Sequence, residues 1–186
     1  MSKIEANTID SISGTSTLTL GSTNASTVAL GSGDVQSNFN TPAFKLLLDS
    51  SQTIATSTDT VIAYDTELYD TDSAVSSGVF TVPTGKGGKY FFAMNGGFST
   101  GNDIDTVSIT ISKNEQKTIS SNAGDAANIE YHHNGTDVSN YIQSLSTTMD
   151  LDAGDTVRVY YWHNFGSDKG TAADGRAIFS GFRIGT

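Results

Sequence analysis

An all-β fold, a jelly-roll β-sandwich, is what this sequence predicts, and three observations predict it. Short segments in which apolar and polar residues alternate recur from residue 43 to the end. Turn residues punctuate those segments at short intervals, as in sandwiches and jelly rolls. No stretch carries the apolar spacing of an amphipathic helix.

Taken in order, Ala43 to Leu48 opens the domain, Thr60 to Tyr64 follows, and Gly78 to Val82 leads into Gly88 to Phe98. Further strands are expected at Thr106 to Ile111, Lys117 to Ser120, Ser139 to Met149, Thr156 to His163 and Ala177 to Ile184. Turns fall at Thr84-Gly85-Lys86-Gly87, Gly101-Asn102-Asp103, Asn134-Gly135 and Ala173-Asp174-Gly175, where glycine and Asn or Asp supply the backbone freedom that a turn needs.

The strand faces carry a second message. Val107, Ile109 and Ile111 share one face while Ser108 and Thr110 share the other, which describes a strand with one wet side. Other strands are apolar on both faces. Tyr90, Phe92 and Met94 oppose Phe91 and Ala93; Val157, Val159 and Tyr161 oppose Tyr160 and Trp162; Ile178 and Phe182 oppose Ala177 and Phe179. A two-layer sandwich buries one face of each sheet, so large aromatics on the second face need another cover. A partner subunit is the simplest cover, and loops are the alternative. Phe91, Tyr160, Trp162 and Phe179 are the candidate interface residues.

Residues 1–40 differ from the rest. They hold one aromatic residue, Phe39, and a dense run of Ser, Thr, Gly and Asn. Within them Thr17-Leu18-Thr19-Leu20-Gly21-Ser22 returns ten residues later as Thr27-Val28-Ala29-Leu30-Gly31-Ser32. Each copy reads as a short strand closed by a Gly-Ser turn, and neither buries enough to fold alone. We therefore expect an extended N-terminal arm over 1–40 that orders on assembly through Leu18, Leu20, Val28 and Leu30, followed by a head domain over 41–186. The alternative is a flexible low-complexity leader.

Composition excludes several functions. A net charge of −10, with only ten scattered Lys and Arg, argues against nucleic acid and against an anionic membrane. No apolar run approaches the ~20 residues that span a bilayer. Cysteine is absent, so neither a disulfide framework nor thiol chemistry is available, which fits assembly in a bacterial cytoplasm. The opening Met1-Ser2-Lys3-Ile4-Glu5 lacks the pattern of a signal peptide, so export inside a larger particle is expected. Forty-nine serines and threonines against 16% charged residues make the surface neutral and hydroxyl-rich.

Candidate chemistry is sparse. His132 and His133 are neighbours on an expected strand and point to opposite faces, so with His163 they read as surface or interface residues. Asp70-Thr71-Asp72, Asp103-Ile104-Asp105 and Asp150-Leu151-Asp152-Ala153-Gly154-Asp155 are compatible with calcium, but none has the EF-hand spacing, and Asp is an ordinary turn former. No nucleophile elbow, phosphate loop or zinc-protease motif is present. We expect no cofactor and no enzyme, although carboxylate pairs suited to polysaccharide hydrolysis can assemble in space.

Gly88, Tyr90 and Phe92 form a G-x-Y-x-F pattern, preceded by Gly78-Val79-Phe80-Thr81-Val82-Pro83. Leu151-Asp152-Ala153-Gly154-Asp155-Thr156-Val157 and the closing Ile178-Phe179-Ser180-Gly181-Phe182-Arg183-Ile184 complete the set. Over residues 43–184 the chain resembles the globular head domain of the first complement component, a jelly roll shared with the tumour necrosis factor family. It departs in the seven residues between Phe80 and Gly88, a wider gap than the family's, and in Ser73 standing where an aromatic is expected. The resemblance implies a homotrimer.

The arm, from Lys3 to Asn40, resembles in composition the small structural proteins of tailed bacteriophages. That resemblance implies a virion protein: a trimeric capsid decoration or cement protein whose arms add strands to the major capsid protein. A tail-fibre or head-fibre adhesin that binds a host surface glycan, with a tail component as neighbour, is the alternative. A soluble pattern-binding protein is a third.

Overall fold

The computed structural model of the chain describes residues 41–99, 106–116, 126–132 and 141–185. All of them belong to the unit that begins at Asn38. The expected arm, the strand expected at Lys117 to Ser120, and the turns at Gly101 and Asn134 lie outside the described residues.

The described residues form β-strands and no helix. In chain order the strands are β1 (Ala43–Leu48), β2 (Thr53–Ile54), β3 (Thr60–Val61), β4 (Thr66–Asp70), β5 (Val75–Ser76), β6 (Val79–Thr81) and β7 (Gly88–Phe98). There follow β8 (Thr106–Lys113), β9 (Ala126–His132), β10 (Tyr141–Leu151), β11 (Thr156–His163), β12 (Lys169–Gly170) and β13 (Ala177–Gly185). A first sheet runs β10-β7-β13-β1-β4 and a second runs β5-β6-β11-β8-β9, with β3 also paired to β11. Every pairing is antiparallel. The result is a two-sheet jelly-roll sandwich.

Period-two alternation decides what lies between the sheets. From β7, Tyr90, Phe92 and Met94 point inward; from β11, Val157, Val159 and Tyr161; from β8, Val107, Ile109 and Ile111. Phe44 and Phe80 stack across the sandwich with ring centroids 5.1 Å apart, and Phe92 lies 5.8 Å from Phe80. Two glycines, one in β13 and one in the turn between β5 and β6, have identifiable reasons. A Cβ on Gly181 would stand 2.5 Å from the Phe92 ring, so this inward position of β13 leaves the Phe92 and Phe44 rings their room. Gly78 has φ +76°, and a Cβ there would collide with the Ile62 carbonyl.

The structure revises the element list in two ways. The strand expected to reach Tyr64 ends at Val61, although Ile62 and Tyr64 remain buried. The two-residue strands β2, β5 and β12 were not expected, nor were the longer β4 and β9. The latter two lie at sheet edges, each paired on one side only, so no doubly buried apolar run marks them.

Candidate functional site

The two sheets turn unlike outer faces away from the core. On the first sheet, the side chains that alternate with the core form a register: Phe182 sits between Phe91 of β7 and Ala43 of β1; Ser180 between Ala93 and Lys45; Ile178 between Asn95 and Leu47. Strand β10 adds Thr148, Ser146 and Ser144 beside Phe91, Ala93 and Asn95. One end of this face is therefore aromatic and the other hydroxyl-rich.

At the aromatic end, the rings of Phe91 and Phe182 lie 5.5 Å apart. Phe182 keeps 40% of its surface exposed and Ile184 keeps 50%, while Tyr69 on the edge strand β4 keeps 48%. Each is far more open than a core residue; Phe182 and Ile184 lie on one strand, while Tyr69 stands beside Lys45 in the row of Ser180. Exposed apolar side chains on one face are of the sort that marks an interaction surface. Toward the other end lies a depression of roughly 330 Å³, lined by Ala93, Asn95, Ser144, Ser146, Ile178 and Ser180. Several of its polar atoms already have partners within the chain. The Ser144 hydroxyl donates to Asn95 Oδ1 at 2.9 Å, and Asn95 Nδ2 donates to the Arg176 carbonyl at 3.0 Å.

The outer face of the second sheet carries a polar network beside two aromatic residues. Asn128 Nδ2 donates to Ser108 Oγ at 2.6 Å and to Thr110 Oγ1 at 2.7 Å; Ser112 Oγ donates to the Gln116 carbonyl at 2.7 Å. Arg158 pairs through Nη1 with Glu115 at 2.8 Å. Tyr160 lies in this face yet is only 5% exposed, and Trp162 beside it is half-buried.

The four residues expected at a subunit interface are therefore not brought together. Phe91 stands on the first outer face, Tyr160 and Trp162 on the second. Phe179 is a correction. It is fully buried between the sheets, with ring centroids 5.0 Å from Phe44 and 5.8 Å from Tyr64, so no surface remains for a partner. The reason is parity: Ala177, Phe179 and Gly181 point inward, which turns Ile178, Ser180 and Phe182 outward. Phe182 and Ile184 are the interface candidates that sequence reasoning passed over, and the period-two pattern of β13 carried the signal. Leu18, Leu20, Val28 and Leu30 lie outside the described residues.

One histidine also needs correction. His132 is an exposed residue, paired with Glu130 at 2.8 Å and bonded to Thr106 Oγ1. His163, however, is fully buried, a core histidine rather than a surface one. His133 lies outside the described residues.

The acidic clusters hold turns. Asp70 accepts the N–H groups of Asp72 and Val75, and Asp72 faces Lys86 at 3.8 Å. Asp155 meets Lys113 at 3.0 Å and accepts from Asn114 Nδ2 and Asp152 N–H. Burial alone would raise its pKa, but those hydrogen bonds and the Lys113 charge prevail and hold it below the ordinary carboxylate value. Asp65, gripped by the N–H groups of Asp49 and Ser50, is lowered as well. Among the described residues no group of three His, Asp or Glu side chains is placed to hold a metal ion. Asp103 and Asp105 lie outside them.

No protein-family model matches the chain, and no curated protein is similar to it in sequence. Solved structures are similar. The globular domain of zebrafish complement 1qA protein superposes with a TM-score of 0.54 at 15% identity, over 77% of this chain and 97% of that one. Eiger TNF from S. frugiperda gives 0.53 at 13% identity, over 76% and 91%. Murine APRIL at pH 5.0 gives 0.52 at 10% identity, over 76% and 98%. At these identities the likeness establishes the fold: a jelly roll of the complement and tumour necrosis factor type.

Proposed function

We propose that this chain is a non-enzymatic structural module that self-associates as a homotrimer through the outer face of its first sheet. The observation that carries this reading is the exposed Phe182, Ile184 and Tyr69, with half-buried Phe91 beside Phe182, on one sheet face, against a second face where Ser108, Thr110 and Asn128 bond to one another. Burying apolar area at about 25 cal/mol per Å² favours contact there. A closed three-fold ring joins two different patches of each subunit, so Phe91 and Phe182 meet a different surface of the neighbour.

We further propose that the trimer is a bacteriophage virion accessory protein, a capsid decoration or cement protein assembled in the host cell and held on the particle by residues 1–40. Support comes from composition: the sparsely charged, hydroxyl-rich sequence, the absence of cysteine, and the repeat carrying Leu18, Leu20, Val28 and Leu30. Each arm offers few apolar side chains, and ordering its backbone opposes binding, so three arms tied to one head supply avidity. The test adds the full chain, and a chain starting at residue 41, to particles that lack the protein. Attachment that depends on 1–40, with added resistance of the particle to heat, supports a cement. Undiminished attachment of the shortened chain moves the contact to the head and leaves the adhesin reading.

A further inference from the structure

Where β11 ends, one end of the sandwich is covered by the two-stranded ribbon of β2 and β12, in which Ile54 pairs with Lys169 and Thr53 with Gly170. A ribbon this short is not stable by itself. Much of what holds it converges on His163, the last residue of β11, whose side chain is fully buried. Its Nε2–H donates to the Ile54 carbonyl at 2.9 Å, and its Nδ1 accepts the Phe165 N–H at 3.3 Å. Only the neutral ring with its proton on Nε2 satisfies both bonds. The His163 carbonyl in turn accepts the Ser57 N–H at 2.6 Å. Phe98 meets the ring edge-on at 5.1 Å, and Phe165 stacks on it at 4.5 Å.

We propose that His163 is an acid-sensitive latch: protonation at Nδ1 turns the acceptor of the Phe165 N–H into a donor, sets a charge among Ile54, Phe98 and Phe165, and frees residues 54–58 and 165–169 from the sandwich end. The far end of the ribbon is tied by groups that do not titrate. Thr171 Oγ1 accepts the Gln52 N–H at 2.9 Å, and the Gln52 side chain bonds to the Val61 carbonyl and the Ala63 N–H. Gln52 and Thr171 therefore act as the hinge. Release uncovers Ile54, Phe98 and Phe165, an apolar surface that neutral pH keeps hidden.

The surroundings set the direction. Burial lowers the His163 pKa below its ordinary value, the Ile54 carbonyl opposes, Lys169 of β12 adds to the lowering, and Asp168 opposes. Among the described residues, β7 brings Phe98, β8 brings Val107 and β2 brings Ile54, none titratable. Tyr161 of β11, packed on Phe98, is raised by burial and stays neutral throughout. A folded-state pKa below the unfolded value of about 6.5 means that the latch contributes fully above that value. It opens as pH falls through the depressed folded value.

Amide hydrogen exchange followed by NMR on the full chain, from pH 7.5 to 4.5 and corrected for intrinsic rates, tests the latch. The Ser57 and Phe165 amides are expected to lose at least tenfold protection in step with titration of the His163 ring, while the amides of β7 and β13 keep theirs. In His163→Gln, which retains an N–H donor for Ile54 but does not titrate, that pH dependence should vanish. Protection at Ser57 and Phe165 that persists until the whole sandwich unfolds overturns the proposal, as does an acid-induced loss that remains in His163→Gln. If the variant does not fold, coincidence or non-coincidence of ring titration and local exchange in the wild type decides alone.

Discussion

The outer faces of the two sheets are built from the same alternating pattern and differ in how their side chains are satisfied. On the second sheet, Ser108, Thr110, Ser112 and Asn128 bond within the chain, Arg158 pairs with Glu115, and Tyr160 is covered. On the first, Phe182 and Ile184 leave apolar area exposed among the described residues, and the half-buried Phe91 packs against Phe182. A polar outward residue closes its account by local hydrogen bonds, whereas an aromatic one is stabilised only by a cover. The difference is what the proposed assembly through the first face rests on.

The layer that both faces share is where the largest effect is expected. Phe179→Ala opens a cavity among Phe44, Tyr64 and Phe92, at a cost of about 3–5 kcal/mol in chemical denaturation. A cost below about 1 kcal/mol would mean that Phe179 does not occupy the core. Next, Phe182→Arg places a charge on the first face, where the single chain leaves Phe182 40% exposed. Self-association should weaken by roughly tenfold or more, read by sedimentation equilibrium, with the far-ultraviolet circular dichroism unchanged.

A smaller effect distinguishes how the second sheet is tied. Asp155 joins the end of β8 to the start of β11 through Lys113 and Asn114. Its pKa is lowered in the folded state, so its contribution is present above the unfolded value of about 3.9 and is lost as pH falls through the folded value. Asp155→Asn should cost about 1 kcal/mol at neutral pH and nothing in strong acid. A cost that is the same at both pH values would contradict the assignment. The smallest effect belongs to Trp162→Arg, on the outer face of the second sheet. It should leave self-association within about twofold of the wild type; a shift as large as that of Phe182→Arg would erase the contrast between the faces.

Much of the fold was legible because the core strands repeat their pattern over many residues. Strands β1, β7 and β11 occupy the ranges that alternation predicts, and the inward set on β7 is the expected one. Strand β4 was hidden because Thr66–Asp70 has no buried residue, and β9 because Ala126–His132 offers one β-branched residue at a sheet edge. The outward position of Phe91 was legible and the inward one of Phe179 was misread, since a strand with aromatics on both faces does not announce which face meets the other sheet. That choice is fixed by pairing with β1 and β7, which sequence alone does not display. His163 followed the same logic: a polar residue at an inward position of β11 is accommodated because the Ile54 carbonyl arrives from a distant segment.

The central claim is that the first outer face is covered by copies of the same chain. Sedimentation velocity of the full chain across about 0.1 to 10 μM, a range typical for assemblies held by modest apolar contact, tests it most directly. The account predicts a single species of three times the 19.5 kDa chain mass at the upper end of that range. A species of 19.5 kDa throughout would contradict it and leave Phe91 and Phe182 without a cover.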